Sequence, residues 1–171
     1  LSNPSTISRV AEIRQEYEEA QKDPEINQQT ITLTRTRPIY YALIIGINDY
    51  QYNQGSLVDL GQPIGDAQEL KKTLTESYTF EEDNIIYLEN PTRSGIINAL
   101  EALSATVTEK DNLLIFYAGH GVWDAKIQVG YWLPADAKID SKGNWLSNSS
   151  VRDYVSGLKT KHTLLITDAC F

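Results

Sequence analysis

The 171 residues carry 15 Lys and Arg against 23 Asp and Glu, a net charge of −8, which lacks the basic footprint of a nucleic-acid binder. No apolar run approaches the roughly 20 residues that a membrane span needs, so no membrane partner is expected. A single cysteine excludes an internal disulfide framework and any zinc site built from several thiolates.

Residues 6–22 read as an amphipathic helix, with Val10, Ile13, Tyr17 and Ala20 on one face. Asp23-Pro24 breaks it, and residues 30–36 alternate as a half-exposed strand that ends at Arg37-Pro38. The main domain is therefore expected to span 38–171, with 1–37 as a prodomain or linker. Residues 41–47 form a continuous apolar run, as a strand covered on both faces requires. A helix is predicted over 66–77, a strand over 85–88 and a second helix from 90–92 to about 105. A strand over 112–117 runs into Ala118-Gly-His-Gly121. An irregular stretch around 131–134 follows, then a helix over 147–158 and a strand over 163–167 that runs into Asp168-Ala-Cys-Phe171. Strands alternating with helices predict an α/β fold in three layers, a mostly parallel sheet flanked by helices.

In such sheets ligands bind beyond the carboxyl ends of the strands. His120 and Cys170 each lie just past the end of a predicted strand, on the same edge. A lone cysteine, or a histidine near a strand end, is ordinary by itself. Both at matching ends of two parallel strands, with glycines flanking the histidine, suit a thiol whose proton passes to an imidazole. The backbone amides of Gly121 and Cys170 are candidates for holding a developing oxyanion. The other histidine, His162, precedes the last strand, which puts roughly 16 Å of chain between it and the cysteine end. It is given no catalytic role. No phosphate-cradling glycine motif is present, which argues against a nucleotide-binding module.

Phe116-Tyr-Ala-Gly-His-Gly121 resembles the histidine motif of the caspase, metacaspase and gingipain clan of cysteine peptidases, and Leu165-Ile-Thr-Asp-Ala-Cys-Phe171 resembles its cysteine motif. Ala42–Asn48, Gly65–Leu70 and Trp132–Ala137 are similar to the clan's first strand, first helix and inter-motif segment, in the right order. The metacaspase-like prokaryotic members are the nearest in pattern. The resemblance implies a caspase-like sandwich and an endopeptidase with His120 as base and Cys170 as nucleophile, acting on protein or peptide substrates. The alternative is a proteolytically silent scaffold of the same fold.

The resemblance also implies an acidic pocket, Asp66 with Asp168, that selects Arg or Lys at the cleavage point. Each acid has a competing reading: Asp66 with Glu69 fits a helix cap, and Asp168 could bond loop amides. Ala118 stands where metacaspases often carry a serine, so one contact to a basic substrate group would be missing. After the histidine motif, Asp124, Asp136 and Asp140 are too scattered for the six to eight oxygens of a calcium site, and no metal or other cofactor is expected. Arg35, Lys159 and Lys161 are candidate processing sites by residue type. With no methionine and an end one residue past Cys170, the chain reads as the large-subunit portion of a cytoplasmic protein. A complementary C-terminal small-subunit portion and a regulatory domain upstream are the expected partners. Whether a side chain or a backbone carbonyl orients His120 is open at this level.

Overall fold

The computed structural model describes residues 37–53, 55 and 57–170. The predicted helix at 6–22 and strand at 30–36 lie outside the described residues, and the unit described below begins at Ile39. Four strands, β1 (Tyr40–Gly46), β2 (Ile85–Glu89), β3 (Asn112–Ala118) and β7 (His162–Asp168), form one parallel sheet in the order β2-β1-β3-β7. Helix α1 (Pro63–Ser77) follows β1, α2 (Arg93–Thr106) follows β2, and α3 (Asn148–Gly157) precedes β7.

Alternation along the central strands divides the core into two faces. Ala42, Ile44, Phe116 and Ala118 pack with Ala67 and Leu74 of α1. Tyr41, Leu43, Ile45, Leu113, Ile115 and Tyr117 point the other way, onto Ile96, Leu100 and Leu103 of α2 and Val151 of α3. This is the three-layer sandwich that the sequence predicts. Gly46 is required where α1 crosses the sheet, because a Cβ there would stand 2.9 Å from the Ile64 Cα and the Pro63 carbonyl oxygen.

At the opposite edge, fully buried Asp111 ties three elements together. Its carboxylate accepts from the amides of Ile39 and Thr108 and from the Thr108 hydroxyl, and its carbonyl accepts from the Lys161 amide.

The segment read as irregular is ordered differently. β4 (Gly121–Asp124), β5 (Val129–Trp132) and β6 (Leu146–Ser147) form a small antiparallel sheet beside the main one. Strands of two to four residues are too short for alternation to show in sequence. Helix starts also shift. Thr92 and Ser147 cap α2 and α3 by accepting from the amides of Gly95 and Ser150. α1 begins three residues before Asp66, with Pro63 in its first turn.

Candidate active site

Strands β3 and β7 are in register, with Ala118 opposite Asp168, and the Gly119 amide continues the ladder by donating to the Asp168 carbonyl at 3.2 Å. His120 and Cys170 therefore each stand two residues past a paired couple, on neighbouring strands that run about 4.8 Å apart. Cys170 is a free, exposed thiol. His162 is the first residue of β7, at the far end of the sheet.

The His120 ring has a defined partner. Its Nε2 lies 2.7 Å from the carbonyl oxygen of Val58. A carbonyl only accepts, so Nε2 must carry the ring proton, and in the neutral imidazole Nδ1 is left with its lone pair free. Of the two readings left open by the sequence, a carbonyl or a side chain, the structure has the carbonyl.

Val58 belongs to the loop 48–60 between β1 and α1, and side chains fix that loop at several points. Asn90, at φ 48°, adopts the left-handed conformation that Asn tolerates better than most residues. From there it accepts from the amides of Asn48 and Asp49 at 2.8 and 3.0 Å and donates to the Asp49 carboxylate. Asp59 accepts from the Tyr50 amide at 2.9 Å and from the Asn53 side chain at 2.7 Å. Asn48 accepts from the Ile64 amide at 2.9 Å, so it satisfies an orphan donor in the first turn of α1.

That last contact corrects the capping reading of Asp66. Gln62, not Asp66, stands at the N-cap, and Asp66 lies inside the first turn, where a negative charge complements the helix dipole. Asp66 and Asp168 are both exposed, and neither carboxylate makes a hydrogen bond among the described residues. Ala118 is buried in the same cluster as Ala67 of α1.

The small sheet stands behind His120. The Leu133 amide donates to the His120 carbonyl at 3.0 Å, which makes Gly121 and Trp132 a non-hydrogen-bonded pair and leaves the Gly121 amide outside the ladder. The Trp132 ring stacks on Tyr117 at 4.3 Å. The Ala135 carbonyl accepts from the Gln51 amide at 2.8 Å, and Asp136 accepts from the Arg93 amide at 2.8 Å. Asp124 pairs with Lys142 and accepts from the Lys126 amide. Two of the three loop acids therefore have structural work, and no group of three or more His, Cys, Asp or Glu side chains able to hold a metal occurs among the described residues.

Gly119 has a packing role. It is buried, and a Cβ on it would meet the Tyr117 hydroxyl at 2.9 Å and the Tyr50 hydroxyl at 3.1 Å. The sequence reading had no signal for Tyr50 or for the Val58 carbonyl. A backbone carbonyl is present at every position, and only the path of the loop selects one.

The chain is similar to known proteins in sequence and in fold. The yeast Saccharomyces cerevisiae Metacaspase-1 is 35% identical over 88 residues, 47% of this chain and 19% of that protein. Metacaspase-8 of Arabidopsis thaliana is 28% identical over 146 residues, 75% of this chain and 36% of that protein. The chain thus spans about a fifth to a third of the length of these relatives. The crystal structure of protein GSU0716 from Geobacter sulfurreducens superposes with a TM-score of 0.62 at 19% identity, covering 78% of this chain and 51% of that one. It shares the fold. The family model of the caspase domain matches residues 39–171, and the chain belongs to that family.

Proposed function

We propose that this chain is the dyad-bearing part of a cysteine endopeptidase that cuts after Arg or Lys. The observation that supports the reading is the register of β3 and β7, whose paired ends at Ala118 and Asp168 each stand two residues before His120 and Cys170, together with the Val58 carbonyl that leaves the Nδ1 lone pair free. In this reading Nδ1 takes the Cys170 Sγ proton, and the thiolate attacks the scissile carbonyl carbon. The amides of Gly121 and Cys170 hold the oxyanion. Collapse breaks the C–N bond, and the imidazolium gives its proton to the leaving amine. Water, deprotonated by His120, then hydrolyses the thioester and restores the thiol.

The carboxylates of Asp66 and Asp168, exposed and without a hydrogen-bond partner among the described residues, support a basic pocket, since such an acid suits a guanidinium or ammonium. Protein or peptide chains are the substrates, and no metal or cofactor takes part. A C-terminal small-subunit portion completes the cleft, and an upstream domain regulates it. No described helix is long and apolar enough to cross a membrane, and we place the protein in the cytoplasm, where a lone reactive thiol stays reduced.

The test uses the full-length protein with Arg-, Lys- and Asp-ending fluorogenic peptides, with and without calcium. Arg and Lys peptides should turn over, Cys170→Ala and His120→Ala should each cost at least about 10³-fold, and Asp168→Asn should lower kcat/KM for Arg peptides about tenfold to a hundredfold. Asp preference would overturn the pocket, and silence under every condition would favour the scaffold alternative.

A further inference from the structure

His120 is held by more than its ring. Its amide donates to the Tyr50 hydroxyl at 2.8 Å, and its carbonyl accepts from the Tyr117 hydroxyl, also at 2.8 Å. The Tyr117 hydroxyl lies 3.2 Å from the carbonyl and from the amide of Leu133 as well. Gly119 sits against both hydroxyls: a Cβ on it would stand 2.9 Å from that of Tyr117 and 3.1 Å from that of Tyr50. The Tyr50 ring also lies 4.9 Å from the imidazole, tilted 47°.

We propose that Tyr50 is a positioning residue for His120, locking the backbone and ring of the base to the loop that supplies the Val58 carbonyl. The inference rests on the dyad reading and adds to it how the base is aimed. The loop 48–60 touches His120 three times: Tyr50 hydroxyl to amide, Tyr50 ring to imidazole, and Val58 carbonyl to Nε2. The Asp59 carboxylate closes this saddle from outside by accepting from the Tyr50 amide. Any loosening of the loop therefore displaces the amide anchor and the ring anchor together, and a misplacement of about 1 Å is enough to cost on the order of 10²-fold in rate. Burial pushes the Tyr50 phenol up to about 12 and raises that of Tyr117 as well. Both hydroxyls thus keep their protons wherever an imidazole titrates.

The experiment follows iodoacetamide alkylation of Cys170 against pH in the full-length protein, read by mass spectrometry of the Cys170 peptide, for wild type, His120→Ala, Tyr50→Phe, Asp59→Ala and Asp59→Asn. Peptide turnover is measured alongside. Tyr50→Phe removes one oxygen. It should move the alkylation profile toward that of His120→Ala and lower kcat about tenfold to a hundredfold, with KM within about twofold. Asp59→Ala should move both readouts the same way, while Asp59→Asn, which keeps the acceptor for Tyr50, should stay near wild type. If Tyr50→Phe does not fold, the Asp59 pair decides. A wild-type alkylation profile and kcat in Tyr50→Phe, or in Asp59→Ala if that pair decides, overturns the inference. So does a rise in KM at constant kcat. Identical alkylation profiles for wild type and His120→Ala would show instead that no dyad exists, and this inference falls with it.

Discussion

At the scale of single residues, the site is built from polar atoms that hydrogen-bond across long stretches of sequence, His120 to Tyr50 and Val58 among them. Tyr50 has a consequence for pH, because burial penalises the charged form of its phenol. Its phenol lies at about 12, raised from 10.0 mainly by burial. A raised acid pKa means that the folded state holds its proton more tightly than the unfolded one, so the stabilisation is complete below pH 10. It is then lost as pH climbs from 10 toward 12. At about 1.36 kcal/mol per unit the loss is of order 2–3 kcal/mol. Urea unfolding at stepped pH should therefore show a steeper alkaline decline for wild type than for Tyr50→Phe, and equal slopes would refute the assignment. The places of His120, Gly121 and Cys170 just past strand ends were legible in sequence because they follow from motif and topology. Tyr50 was not, since a tyrosine in a loop rich in Asn, Gln and Gly carries no pattern.

At the scale of elements, the four parallel strands were legible as apolar runs, and three of the helices lay close to their predicted bounds. Strands buried on both faces need no alternation, and caps such as Thr92 and Ser147 mark helix starts. The start of α1 was not legible, because its first turn is satisfied by Asn48, a residue 16 positions away in sequence from Ile64. The crossing of α1 over β1 makes a sharp prediction. Gly46→Ala would press a methyl on backbone atoms of Pro63 and Ile64, which cannot swing aside as a side chain can. Chemical denaturation should register a loss of about 1–3 kcal/mol. In the proposed pocket Asp66 rides on α1, so selectivity for basic peptides should fall with it. A variant as stable as wild type would mean that α1 rides further from the sheet.

At the scale of the whole molecule, the sheet is covered unevenly. β7 pairs with β3 on one side, and among the described residues nothing pairs with its other side. Leu164, Leu165 and Ile166 are 56%, 40% and 38% exposed, far more than the strands beside them. Leu164 and Ile166 share a face with Leu114 and Phe116, their partners in register, where α1 covers β1 and β3 but leaves β7 open. A cavity of about 510 Å³ opens there, lined in part by Leu74, Phe80 and Leu164. An apolar edge of this kind invites pairing with another strand. Expressed alone, residues 1–171 should bind the dye ANS and self-associate, and Leu164→Lys with Ile166→Lys should suppress both. Equal ANS fluorescence from the double variant would mean that the dye-binding surface lies elsewhere.

The sequence alone determined the fold class, the edge of the sheet where chemistry belongs and the two residues proposed to perform it. Those features follow from local patterning and from the parallel topology that such patterning demands. The tertiary structure alone decided which atom orients His120, what holds its backbone and why Gly119 must be glycine. Each of those depends on where a loop of variable path meets the strands, and contacts between residues 60 or 70 positions apart leave no period in the chain.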